Sequence, residues 1–126
     1  MPETTPIRVL VVDDHRLFTH ALTSVLEQDD RFAVVGTAAT GREAVKLAQT
    51  HGVDVVLMDM SMPVLDGPAA TRRLRALDSP PHVIALSGHE DRLSRTAALD
   101  AGADDFVTKS ESFDELVEAI LGACGR

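Results

Sequence analysis

The chain predicts a doubly wound α/β fold, with five parallel strands in the order 2-1-3-4-5 and helices on both faces. Three observations carry that expectation. Short apolar runs alternate five times with segments of helical period, the connections are a few residues long, and the first and third apolar runs both end in carboxylates. Alternation with short connections forces parallel strands joined by right-handed crossovers. In the order 2-1-3-4-5 the topological switch lies between strands one and three, and ligands bind beyond the carboxyl ends of the strands there.

Met1 to Pro6 is a polar lead-in with two prolines. Ile7 to Val12 is the first apolar run, followed by Asp13 and Asp14. Phe18, Ala21, Leu22, Val25 and Leu26 then fall at i, i+3, i+4, i+7 and i+8, the stripe of an amphipathic helix over about 15–28. Gln-Asp-Asp-Arg breaks that pattern, and Phe32 to Ala39 is β-branched and apolar enough for a second strand. Thr40 with Glu43 forms a capping box, so a helix runs from there to about Thr50 with Ala44, Val45, Leu47 and Ala48 inward. Gly52 suits a left-handed helix end.

Val55 to Asp59 is the third strand, apolar throughout until its terminal acid. Met62-Pro63 and Asp66-Gly67-Pro68 make a turn-rich loop, after which Ala69 to Leu77 reads as a helix beginning at Asp66 or Gly67. Arg72, Arg73 and Arg75 give that helix a solvated basic face. Ser79-Pro80-Pro81 is a breaker before strand four, His82 to Ser87. A helix from about Glu90 to Ala101 stops at Gly102. Strand five, Asp105 to Thr108, leads through Lys109 to Ser112, whose capping partner is Glu115, and the last helix turns Phe113, Leu116, Val117, Ile120 and Leu121 inward.

The 126 residues suit one domain, 1–126, with its core over about 7–123. No apolar stretch approaches the roughly 20 residues of a membrane span, and the start lacks the pattern of a signal peptide, so a cytoplasmic location is expected. Cys124 is a lone cysteine with no intrachain partner, in keeping with a reducing compartment and a helix-end role. A net charge of −8 argues against gripping a phosphate backbone directly, and the absence of Trp and Tyr leaves few stacking platforms for single-stranded bases.

If strands one and three are neighbours, Asp13, Asp14 and Asp59 meet at one rim. Two unit charges ~4 Å apart repel by roughly 4 kcal/mol at an effective dielectric of about 20, so such a cluster calls for a cation. Hard oxygen ligands in a hydrated setting suit Mg²⁺. The metal would keep Asp59 ionised, and an ionised carboxylate beside Mg²⁺ is a competent nucleophile toward a phosphoryl group. Ser87 and Lys109, at the ends of strands four and five, would hold the other phosphoryl oxygens.

Asp13-Asp14, Asp59, Ser87 and Lys109, with Met62-Pro63 and Asp66-Gly67 after the central acid, resemble the receiver domain of bacterial two-component response regulators. The resemblance runs from Ile7 to about Ala123. Val-Val-Asp-Asp-His-Arg-Leu-Phe and Val-Gly-Thr-Ala-Ala-Thr-Gly-Arg-Glu-Ala are similar to receivers that precede a LuxR-type helix-turn-helix output. The resemblance implies a CheY-like, flavodoxin-like sandwich in which Asp59 accepts a phosphoryl group from a sensor histidine kinase. It implies that Asp14, Asp59 and the Ser61 backbone carbonyl ligate Mg²⁺, with Asp13 acting through water. Ser87 and Lys109 would read the phosphate, and Phe106 would occupy the switch-aromatic position, turning inward to reshape the surface of helix four, strand five and helix five. By position alone, Ser61 and His89 lie two residues after Asp59 and Ser87, where their side chains would face the water that removes the phosphoryl group and so tune dephosphorylation.

The same resemblance implies a homodimer on phosphorylation, DNA contact through an output domain outside this chain, and no activity beyond the chain's own phosphorylation and dephosphorylation. Two residues depart from the family. Ser110 replaces the proline that commonly follows the lysine, so the 109–110 bond is expected trans, a non-proline cis bond costing roughly 3 to 4 kcal/mol. Phe106 replaces tyrosine, leaving any ring rotation to packing alone. The alternatives are a pseudo-receiver that binds proteins without taking phosphate, and a small phosphatase or nucleotide-binding protein. The chain has no G-x-G-x-x-G turn, no Walker lysine, and no second acid two residues after Asp59.

Overall fold

The computed structural model describes residues 5–60, 67–88 and 92–125. Five strands and five helices alternate as β1 (Ile7–Val12), α1 (Arg16–Glu27), β2 (Phe32–Ala38), α2 (Gly41–Thr50), β3 (Val55–Asp59), α3 (Gly67–Arg75), β4 (His82–Ser87), α4 (Arg92–Asp100), β5 (Asp105–Thr108) and α5 (Phe113–Ala123). All strand pairs are parallel and the order is β2-β1-β3-β4-β5, as expected.

Because side chains alternate across a strand, the sheet divides its apolar residues between two cores. Leu10, Val12, Val56, Met58, Val83, Ala85 and Phe106 pack against α2, α3 and α4. Val9, Val11, Val55, Leu57, Ile84, Leu86 and Val107 face α1 and α5. Every residue of β3 is buried, which is the mark of a central strand covered on both faces. A bulge between Val9 and Leu10 moves the register so that Leu10 pairs with Gly36 instead of Val35.

Several local expectations are met in detail. Thr40 Oγ1 accepts from Glu43 N at 3.1 Å, and Glu43 Oε1 reaches back to Ala39 N at 2.9 Å. Gly102, at φ 108°, ends α4; its N–H bonds to Leu99 O while Ala103 N bonds to Ala98 O, the paired closure of a glycine-capped helix. In the turn between α1 and β2, Asp29 accepts from Arg31 N and pairs with its guanidinium, which holds the Asp29 carboxyl down at about 2.

Other details differ. Gly52 is not left-handed: α2 ends by passing directly into extended backbone at His51 (φ −121°, ψ 148°). The Leu47 carbonyl accepts from His51 N at 2.9 Å, Thr50 Oγ1 donates to the Lys46 and Leu47 carbonyls, and the Gly52 carbonyl accepts from Arg8 Nε, so no left-handed cap is needed. The basic face of α3 is solvated only at Arg72 and Arg73, which are exposed. Arg75 Nη1 donates to Pro81 O at 2.8 Å and lies 3.7 Å from Asp104, tying α3 to the loops beside β4 and β5. On α1, Leu22 and Leu26 are buried, but Ala21 and Val25 are exposed, lining a groove of about 200 Å³ toward α5. Residues 1–4, residues 61–66, where the sequence predicts most of a turn-rich loop, and the expected start of α4 at Glu90 lie outside the described residues.

Candidate functional site

The carboxyl ends of β1, β3, β4 and β5 converge on one rim. Asp13 follows β1 directly, its N–H donating to Ala38 O at 3.0 Å on the neighbouring strand. That bond continues the β1–β2 ladder one residue past the strand and turns the Asp13 side chain into the rim. Asp59 is the last residue of β3, and its partner across the sheet, Leu86, precedes Ser87. Lys109 follows β5, its N–H donating to Ser87 O at 2.7 Å.

Asp13, Asp59 and Ser87 are 3%, 1% and 3% exposed, whereas Asp14 faces solvent. Lys109 Nζ lies 2.5 Å from Asp13 Oδ2 and 3.9 Å from Asp59 Oδ1, and 4.6 Å from the centroid of the Phe18 ring. A single ammonium thus stands between two buried carboxylates, with an aromatic face beneath it. This is one of the compensating cations that the cluster requires. It does not neutralise the whole set, since three acids face one lysine.

Asp13, Asp14, His15 and Asp59 each bring a ligand atom within 4.8 Å of the others. Three carboxylates are the hard anionic donors that Mg²⁺ selects, so the donor set fits that ion. The His15 imidazole is a softer donor and is already engaged, with Nδ1 3.0 Å from Asp13 Oδ1 and 3.3 Å from Asp14 Oδ1. It orients the two acids. His15 N also donates to Asp13 Oδ1 at 2.8 Å, so Asp13 also ties down the backbone at the start of α1.

Sequence reasoning named Asp13, Asp14, Asp59 and Lys109, and these come together. Ser87 stands at the same rim by register. Ser61 and His89 lie outside the described residues. Phe106 is 5% exposed and already turned into the core, with the Arg95 guanidinium 5.4 Å from the ring centroid. The inward position, which the sequence reading ties to phosphorylation, is therefore the one found here. Sequence reasoning placed Phe18 only on the apolar stripe of the first helix and did not count His15 among the site residues. His15 was signalled by standing next to two acids at a helix start; Phe18, 91 positions from Lys109, had no local signal.

The sequence profile of the response regulator receiver domain matches residues 9–121. The chain belongs to the response regulator receiver domain family. Among curated relatives, the response regulator UvrY of Escherichia coli K12 is 40% identical over 114 residues, covering 90% of this chain and 52% of UvrY. The receiver domain thus spans about half the length of the curated relatives it matches. The solved signal receiver domain of the response regulator NarL from Mycobacterium tuberculosis superposes with a TM-score of 0.89 at 35% identity, covering 96% of this chain and 98% of that one. The structure described as the CheX-CheY-BeF3-Mg complex from Borrelia burgdorferi superposes at 0.84 with 28% identity, covering 93% and 88% of the two chains. The two-component response regulator of the LuxR family from Aurantimonas sp. SI85-9A1 superposes at 0.89 with 32% identity, covering 96% and 86% of the two chains, which agrees with the subgroup that the first and second strand regions resemble.

Proposed function

We propose that this receiver is a phosphorylation-driven switch in which Asp59 takes a phosphoryl group from a phosphohistidine of a sensor kinase. The observation that carries the reading is Lys109 Nζ, 2.5 Å from Asp13 and 3.9 Å from Asp59. A cation held between two buried acids is poised to follow negative charge as it builds on a phosphoryl oxygen. An Asp59 carboxylate oxygen attacks phosphorus, the phosphorus–nitrogen bond breaks, and the histidine imidazole leaves. Asp14, Asp59 and the Ser61 carbonyl would hold Mg²⁺, with Asp13 bound through water. When bound, the ion supplies Lewis-acid stabilisation of the transferring oxygens. The Borrelia CheY, in its complex with BeF3 and Mg, supports carrying that ion over to this relative.

The acyl phosphate on Asp59 carries about −2 where the free carboxylate carried −1, and the extra charge and oxygens draw in the Ser87 hydroxyl and Lys109. Because Phe106 is already packed inward, the phosphorylated form gains by holding the ring there, which biases the surface of α4, β5 and α5. Through that surface the domain would form a homodimer and, in the cytoplasm, govern a DNA-binding output domain outside this chain. Apart from catalysing its own phosphorylation and dephosphorylation, the chain turns over no substrate.

Incubation with acetyl phosphate and Mg²⁺ tests this by intact mass. The expected result is a labile phosphoryl adduct, absent in Asp59→Asn. A lasting lack of adduct in the parent would establish a protein-binding pseudo-receiver instead, and continuous release of phosphate over many turnovers would establish a phosphatase.

A further inference from the structure

The loop that carries Lys109 has Ser110 where the family commonly has proline, so ring rigidity cannot fix it. The 109–110 peptide bond is trans, as expected for serine. What closes the loop is a carboxylate. Glu111 N donates to Thr108 O at 3.1 Å, making a four-residue turn with Lys109 at its second position. The Glu111 side chain then folds back over the same turn: Oε1 accepts from Thr108 N at 3.2 Å and from Thr108 Oγ1 at 3.1 Å. Ser110 Oγ lies 3.1 Å from Thr108 Oγ1, so the residue that replaced proline joins the same knot. Thr108 is 5% exposed and ends the strand, which anchors the knot to the sheet.

We infer that Glu111 is a positioning residue for Lys109: its carboxylate clasps Thr108 across the turn and fixes the lysine on the Asp13–Asp59 pair. This rests on the reading of Asp59 as phosphoacceptor. The chemistry of the clasp is consistent with a charged acceptor. Glu111 is held below the ordinary carboxylate range by its hydrogen bond with Glu115, by the Thr108 donors and by nearby Arg95, while the same contact pushes Glu115 up. At the start of α5 the expected Ser112 cap is formed, Glu115 N donating to Ser112 Oγ at 3.2 Å. Lys109 has a fixed backbone on both sides, through Ser87 O before the turn and through Glu111 across it.

The test compares Glu111→Ala with Glu111→Gln, whose amide oxygen can still accept from Thr108. With acetyl phosphate at saturation, the alanine variant should take the phosphoryl group roughly ten- to a hundred-fold more slowly, as a misplaced catalytic cation does, with Mg²⁺ affinity by calorimetry unchanged. The glutamine variant should stay within about threefold of the parent, as its acceptor geometry is retained. Thr108→Val, which removes one donor while keeping the shape, should give a smaller loss of the same sign, and it decides the matter if the alanine variant does not fold. Amide hydrogen exchange at Lys109 provides a readout independent of phosphate: faster in Glu111→Ala, parental in Glu111→Gln. A parental phosphorylation rate in Glu111→Ala, or an equal loss in both Glu111 variants, would overturn the inference. If the parent itself forms no adduct, the Asp59 reading fails, and the exchange data alone decide the clasp: unchanged exchange in both variants overturns it.

Discussion

Lys109 shows how a residue that is weak evidence in the sequence becomes decisive in space. Alone it reads as a solvated loop charge. In the fold it faces Asp13, whose side chain has no exposed surface, and lies near Asp59, so removing it would strand buried negative charge. Breaking a buried pair costs about 3 to 5 kcal/mol, and the 17% exposure of the lysine side chain reduces that through solvent screening to about 2. Lys109→Ala should therefore be less stable than the parent by about that amount in urea titrations with EDTA, and Mg²⁺ should restore most of the difference by compensating the same acids. Equal stability of the two proteins in EDTA would show that the acids do not need the lysine. The three acids were legible because each ends an apolar run. Phe18 was not, because contact across 91 positions leaves no trace in local spacing, and Arg75 was misread because its partners, Pro81 O and Asp104, lie on other loops.

At the scale of elements, the strands were the most legible parts: β1, β3, β4 and β5 have the spans that their apolar runs predict, and β2 is one residue shorter. Burial on both faces leaves a continuous apolar run, and the end of that run is the end of the strand. Helix ends were legible where a side chain or glycine closes the backbone, at Thr40, Ser112 and Gly102. They were not legible at Gly52, because His51 N and Thr50 Oγ1 satisfy the last carbonyls instead. Gly67 makes a sharper demand. A Cβ there would stand 2.4 Å from Asp59 O and 2.6 Å from Met60 Cα, both main-chain neighbours that cannot swing aside. The first turn of α3 is thus pressed against the residue that carries the proposed chemistry. Gly67→Ala should lose about 1 to 3 kcal/mol in denaturant titrations, the usual cost of overpacking. In molecules that remain folded it should also slow phosphorylation, because the backbone displaced is that of Asp59. An alanine variant with parental stability would mean that the approach is looser than this geometry.

At the scale of the whole molecule, the acids at the rim come from β1 and β3, which are brought together only when the sheet forms, with the lysine arriving from β5. The unfolded chain has no such cluster, since Asp14 and Asp59 are 45 positions apart. A cation that binds the rim therefore binds the folded state alone, and linkage makes its binding free energy a folding free energy. At ten times its dissociation constant, Mg²⁺ should add about 1.4 kcal/mol of stability, which for a domain of this length raises Tm by roughly 4 to 6 °C. Sodium chloride at matched ionic strength screens the same repulsion without occupying the site, so it should give a smaller rise. Asp14→Asn, which removes an exposed carboxylate and leaves the buried Lys109–Asp13 pair intact, should lose most of the Mg²⁺-specific increment without losing the fold. Thermal melts of both proteins in the two salts measure this directly. If magnesium and sodium raise Tm equally in the parent, the acids are a field to be screened and not a site, and Asp59 would have to react without the metal that its neighbours are arranged to hold.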